Sequence, residues 1–153
     1  MIEPKETNRQ IGPFFKRWLD KGVLGIQPIS IEEFTATNED AILKGSDAQL
    51  MSFAREYLNY QHTKGLDFIG RFNGKYVIGE AKFLTDFGGH QNAQFNDAIS
   101  TVQAKNVKAV KIAILDGVLY IKGNNKMYKD ITTTYKDLNI MSSLVLREFL
   151  YQI

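Results

Sequence analysis

Asp67, Glu80 and Lys82 are the residues of this chain whose types and spacing best suit chemistry. Twelve residues separate the two acids, and they bracket Phe68-Ile-Gly-Arg-Phe-Asn-Gly-Lys-Tyr-Val-Ile-Gly79. Asn73-Gly74 in the middle is a strong two-residue hairpin signal, because a type I′ turn needs φ > 0 at both central positions. A two-residue turn also dictates the pairing. Phe72 then faces Lys75, Arg71 faces Tyr76, Ile69 faces Ile78, and Asp67 faces Glu80. Opposed residues bring their Cβ atoms to about 5 Å on one sheet face. Lys82, two positions after Glu80, points to that same face.

Like charges opposed across strands are destabilising. Two carboxylates in this register call for a compensating cation, and a hard divalent ion is the natural one. Mg²⁺ is commonly held by one or two carboxylates, with waters and phosphate oxygens completing its shell. An adjacent lysine could neutralise a phosphate or help to deprotonate an attacking water. The chemistry implied is hydrolysis of a phosphodiester. The triplet Glu80-Ala81-Lys82 alone says little, since Glu3-Pro4-Lys5 has the same form. The information lies in the acid placed opposite Glu80. Ile69, Ile78 and Tyr76 share that face, which predicts that it is covered, and buried charges demand partners.

Asp67, the twelve-residue gap and Glu80-Ala81-Lys82 resemble the PD-(D/E)xK nuclease pattern. The stretch after it, Phe83 to Phe95, is similar to the catalytic region of type II restriction endonucleases. The similarity runs from about Asn8-Arg-Gln-Ile-Gly-Pro13 to the C-terminal helix. Leu66 stands where the motif has proline, a residue that carries no chemistry. The resemblance implies a restriction-endonuclease-like α/β fold, a mixed sheet flanked by helices, and Mg²⁺-dependent cleavage of double-stranded DNA. Asp67, Glu80 and the Ala81 carbonyl would be metal ligands, and Asp67, Glu80 and Lys82 the catalytic set. Such enzymes are usually longer. Residues 1–153 are therefore read as a single catalytic domain that either acts as a homodimer or is part of a longer enzyme with a separate recognition region. In the resembled family an acid on the helix before the hairpin often assists the metal, which leaves Asp47 and Glu56 open as helpers. Gln91 and Gln94 are open as contacts to phosphates or bases. The alternatives are a structure-selective repair or junction nuclease of the same fold, and a DNA-binding or assembly module that does not cut.

Composition narrows the field. The 153 residues are 44% hydrophobic and 24% charged, typical of a globular domain. With no cysteine there is no disulfide framework, thiolate metal site or thiol nucleophile. This fits a reducing cytoplasm. No run approaches the roughly 18 apolar residues of a membrane span, and the N-terminus lacks the apolar core of a signal peptide. His62 and His90 lack the spacing of a zinc site. Neither a phosphate-binding loop of the Gly-x-x-x-x-Gly-Lys type nor a dinucleotide Gly-x-Gly-x-x-Gly is present. Net charge is only +2, but Lys105, Lys108, Lys111, Lys122, Lys126, Lys129 and Lys136 concentrate in the last third. They read equally as a solvated face or a phosphate-tracking patch.

The positioning elements follow from periodicity. Pro13 and Gly22 bracket a short helix over 13–21. Residues 23–45 give no clear period, although Ile26 to Thr37 is strand-like in composition. Ser46 and Gln49 form a capping box that opens a helix to about Tyr60, with Leu50, Ala54, Tyr57 and Leu58 as its stripe. Gly88-Gly89 should turn into a helix over 91–104 that buries Phe95, Ala98, Ile99 and Val102. Ala109 to Leu115 reads as a buried parallel strand reached by a right-handed crossover. Asp116-Gly117 reads as a second hairpin turn into Val118 to Lys122, residues 127–131 as an edge strand, and Ser142 or Ser143 as the cap of a last helix through Leu150.

Overall fold

The computed structural model describes residues 14–63, 65–84, 89–117 and 126–153. The Asn73-Gly74 turn forms as expected. Asn73 and Gly74 have φ of 53° and 75°, and join β2 (Phe68–Phe72) to β3 (Lys75–Leu84). Phe72 pairs with Lys75, Arg71 with Tyr76 and Ile69 with Ile78, as the turn requires.

β1 (Ala41–Ile42) adds antiparallel to β2, while β4 (Val110–Gly117) and β5 (Ile140–Met141) add parallel beyond β3. The result is one mixed five-stranded sheet in the order β1-β2-β3-β4-β5. Both faces are covered. On one lie α1 (residues 14–20) and α6 (Ser143–Gln152), whose Phe15, Leu19, Leu146 and Leu150 pack on Val77, Ala81, Ile112 and Ile114. On the other, α3 (Asp47–Leu58) covers Ile69 and Ile78, and α4 (Gly89–Val102) covers Leu84, Ala113 and Leu115. Each large apolar side chain buried in these layers contributes about 1.5–3 kcal/mol. Being buried on both faces explains why β4 is nearly continuously apolar.

The α3 capping box is complete, with Ser46 Oγ accepting from Gln49 N–H and Gln49 Oε1 accepting from Ser46 N–H at 2.8 Å. Phe95, Ala98, Ile99 and Val102 are buried on α4 as predicted. Ser142 caps α6. Elsewhere the structure corrects the sequence reading. The unassigned 23–45 region holds a short helix, α2 (Ile31–Ala36), capped by Ser30 Oγ accepting from Glu33 N–H, as well as β1. Tyr57 is half exposed, stacked on Phe53, because the buried arc of α3 runs through Leu50, Met51, Phe53, Ala54 and Leu58. Residues 127–131 lie in a helix, α5 (Lys126–Thr132); the sheet edge beside β4 is already taken by β5. Asp116 and Gly117 are not turn residues, since they pair with Phe83 and Leu84 in the β3–β4 ladder. Gly88, Thr85 and the expected strand Val118 to Lys122 lie outside the described residues.

Candidate active site

β2 begins at Phe68, which pairs with Gly79, and the regular register ends there; Asp67, one residue earlier, lies near enough to feel the Glu80 charge. Asp67 no longer belongs to a regular ladder. Its N–H donates to the Gly79 carbonyl at 3.0 Å, and its Oδ2 accepts the Ala81 N–H at 2.8 Å. The carboxylate thus takes the place that a partner-strand carbonyl would fill. Glu80 is almost fully buried, at 5% exposure. Its Oε1 meets Lys82 Nζ at 3.0 Å, and its Oε2 accepts the Thr101 hydroxyl at 2.9 Å. The hairpin register and the α4 crossover together bring Asp67, Glu80 and Lys82 to one place.

The electrostatics are unbalanced. Burial is the main cause that pushes the Asp67 carboxyl up from 3.8 to about 6. The Ala81 N–H opposes the rise, Asp47 and Glu80 add to it, and Lys82 again opposes it. Glu80 has an ammonium and a hydroxyl to hold its charge, whereas Asp67 has a single amide. Among the described residues no group of three or more acids or histidines is arranged as a metal cage. What is present is a pair of carboxylates with a lysine.

Two clefts reach this site, one at Asp67 and one at Lys82, and α1 lines both. One, of about 560 Å³, is walled by Lys16 and Leu19 of α1, the Lys44-Gly45-Ser46 loop, and Asp67 itself. The other, of about 440 Å³, is walled by Arg17, Trp18, Lys21, Ala81 and Lys82. Asp67 and Lys82 are therefore reachable from opposite sides of one helix.

A family model described as Tsp45I type II restriction enzyme matches residues 1–153. The chain belongs to the Tsp45I type II restriction enzyme family. Family membership makes it a restriction endonuclease with DNA as its substrate. No curated protein and no solved structure matches it. Among the described residues no helix is long and apolar enough to cross a membrane.

The remaining candidates in this restriction enzyme separate clearly. Asp47, in the first turn of α3, is ion-paired with Lys16 and acts on Asp67 through its charge. Glu56 is exposed and lines a separate small cavity with Ser52 and Phe53. Gln94 is half-buried on α4 and makes no hydrogen bond to Asp67, Glu80 or Lys82, while the Gln91 and His90 side chains lie outside the described residues. His62 packs beside the Tyr60 ring. Lys105, Lys108, Lys129 and Lys136 are exposed, but Lys111 bends back to the Ala104 carbonyl beyond α4. Lys122 and the Lys126 side chain lie outside the described residues. Sequence reasoning missed Thr101 and Tyr60, both fully buried beside Glu80. The available signal was a threonine three residues after Ala98, a polar group on the edge of α4's apolar stripe.

Proposed function

We propose that this restriction endonuclease is Mg²⁺-dependent, and that its active site is the Asp67–Glu80–Lys82 end of the β2–β3 hairpin, in the manner of PD-(D/E)xK nucleases. The observation that carries the reading is Asp67 beside Glu80 at the mouth of a cleft, with its carboxyl raised to about 6 by burial and neighbouring acids. The donor set suits Mg²⁺, which takes one or two carboxylates and leaves the rest of its shell to water and phosphate. Asp67 and Glu80 would hold the ion, with the Ala81 carbonyl as a third ligand. Bound there, Mg²⁺ would neutralise charge at the phosphoryl group and acidify water.

The chain's own groups supply the rest. Lys82, held against Glu80 Oε1, has an ammonium that can orient the attacking water and stabilise the charge that grows at phosphorus. Thr101 keeps the second Glu80 oxygen engaged, so that only one is left to face the reaction. The apolar layers under α3 and α4 exclude water from behind the site, which strengthens each of these interactions.

The test is cleavage of plasmid DNA by purified protein, with Mg²⁺ and with a chelator. Discrete fragments are expected with Mg²⁺ and intact DNA with chelator. Lys82→Ala should still bind DNA in a Mg²⁺-dependent manner but not cut it, because the ammonium serves the transition state. Cleavage that survives chelation would overturn the metal assignment. Full activity in Lys82→Ala would overturn the lysine's role.

A further inference from the structure

The C-terminal ends of α3 and α4 meet directly behind Glu80, and what they present there is two hydroxyls. Asn59 closes α3 in the left-handed conformation, and the chain turns back so that Tyr60 N–H reaches the Ala54 carbonyl at 3.1 Å. Asn59 Nδ2 then donates to the Asn106 carbonyl at 2.8 Å, and Lys108 N–H donates to the Leu58 carbonyl at 2.8 Å. These two bonds tie the end of α3 to the loop that follows α4. They set Tyr60 against the last turn of α4, where Thr101 sits. Both side chains have no exposed surface.

Thr101 donates to Glu80 Oε2 at 2.9 Å. The Tyr60 hydroxyl interacts with Thr101 and Glu80, yet it makes no hydrogen bond of good geometry among the described residues. An unsatisfied buried hydroxyl costs about 1–3 kcal/mol. It lies in a layer otherwise filled by apolar side chains, and the hydroxyl it faces is that of Thr101. Thr101 has one proton, directed at Glu80 Oε2 at 2.9 Å in preference to the Asp97 carbonyl at 3.4 Å, and oxygen lone pairs left to accept the Tyr60 proton.

Resting on the Mg²⁺ reading above, we infer that Thr101, backed by Tyr60, is the positioning residue that fixes the Glu80 carboxylate for the metal. Thr101 holds Oε2, which turns Oε1 toward Lys82 and the open end of the hairpin. Partners of this kind, one step behind a ligand, are typically worth 10–100-fold in metal affinity or activity. Neither residue touches substrate. Their effect passes through the orientation of Glu80.

The experiment compares Thr101→Val, which keeps shape and loses the hydroxyl, with Thr101→Ser, which keeps the hydroxyl. Tyr60→Phe is the third variant. Mg²⁺ binding is measured by calorimetry on protein without DNA, and the Mg²⁺ dependence of plasmid cleavage is measured beside it. Thr101→Val should weaken Mg²⁺ binding about tenfold or more and raise the Mg²⁺ needed for half-maximal cleavage by a similar factor, with most of the rate restored at high Mg²⁺. Thr101→Ser should stay near wild type, and Tyr60→Phe should fall between. Wild-type Mg²⁺ affinity in Thr101→Val, or equal weakening in the Val and Ser variants, would overturn the positioning role while leaving the metal site intact. If wild type itself binds no Mg²⁺ and still cuts, the metal reading has failed, and the positioning role with it. Should Thr101→Val fold poorly, Tyr60→Phe carries the test, and wild-type Mg²⁺ affinity there would remove Tyr60 from the proposal.

Discussion

The β2–β3 hairpin buries charge at both ends of one face, and the two ends solve the problem differently. Near the turn, Arg71 is 3% exposed. Its Nε donates to the Glu39 carbonyl at 2.9 Å and its Nη1 to the Phe34 carbonyl at 3.1 Å. The guanidinium lies 4.3 Å from the Phe34 ring centroid and 5.8 Å from that of Tyr76. Carbonyl dipoles and aromatic faces stand in for water, so the charge is stabilised within the fold. At the other end Asp67 has one amide, a neighbouring carboxylate and a cleft. The turn end holds its charge with the fold's own carbonyls and rings, although Nη2 of Arg71 is buried without a hydrogen bond among the described residues; the open end is left short of positive charge. A buried charge held by the fold's own groups away from any cleft serves the fold, and one left short in a cleft marks a site for something that binds.

The largest contrast is in rate. Asp67→Ala should lower DNA cleavage by on the order of 10³-fold or more, the effect of removing a charge clamp from the transition state. The fold should be unharmed and the metal-free melting temperature equal or higher, because the burial of a carboxylate and its repulsion with Asp47 and Glu80 are relieved. Near wild-type cleavage in this variant would erase the difference between the two ends.

Second comes a pair of glycines, Gly74 in the turn before β3 and Gly117 at the end of β4, paired with the last residue of β3. A Cβ on Gly117, whose φ is 107°, would lie 2.0 Å from the Leu84 carbonyl oxygen, so the ladder would have to open next to the site. Gly117→Val should cost about 3 kcal/mol or more of stability. Gly74 has φ of 75° and nothing within 4 Å of a built Cβ. Gly74→Val should cost only the backbone strain, about 1–3 kcal/mol. Chemical denaturation of the two proteins ranks them, and equal losses would show that the β3–β4 ladder gives way more readily than its packing implies.

Arg71→Met sharpens the turn end. It strips the donors from the buried Phe34 carbonyl and the part-buried Glu39 carbonyl, and stability should fall by about 2–4 kcal/mol. Cleavage per folded molecule should be unchanged. A loss of activity beyond the unfolded fraction would tie the turn end to the chemistry.

The smallest effect is a pH dependence of the metal-free protein. The Asp67 carboxyl is raised in the folded state from 3.8 to about 6, so between those values the folded protein holds a proton that the unfolded chain has released. Its contribution is therefore fully present below about pH 4 and is lost as pH rises to 6 and above, by about 1–3 kcal/mol. Urea denaturation in chelator across that range should show the slope in wild type and not in Asp67→Asn. A slope that persists in Asp67→Asn belongs to another group.

Much of this was legible in the residues because local rules decided it. Asn73-Gly74 set the register from Phe72–Lys75 to Phe68–Gly79 with no tertiary information needed, and that register brings Asp67 near Glu80. The Ser46–Gln49 box and the Phe95–Val102 stripe likewise placed the two helices behind the site. Short elements were illegible for a physical reason. Ile31–Ala36 is too brief for a helical period, and only its cap, Ser30 with Glu33, betrays it. The strand assignment for 127–131 failed because propensity cannot see that Ile140–Met141 fills the edge. Asp116-Gly117 has hairpin chemistry, yet it lies in the ladder, where the Leu84 carbonyl leaves no room for a side chain. Thr101 and Tyr60 were out of reach because only the packing of two helix ends brings them to Glu80.

The most direct test of the open end is a calorimetric titration of Mg²⁺ into wild type and Glu80→Gln, which keeps the shape of the side chain and removes its charge. Binding in the wild type and at least about tenfold weaker binding in Glu80→Gln is the predicted result. Equal affinity in the two proteins would place any bound Mg²⁺ elsewhere and contradict the account.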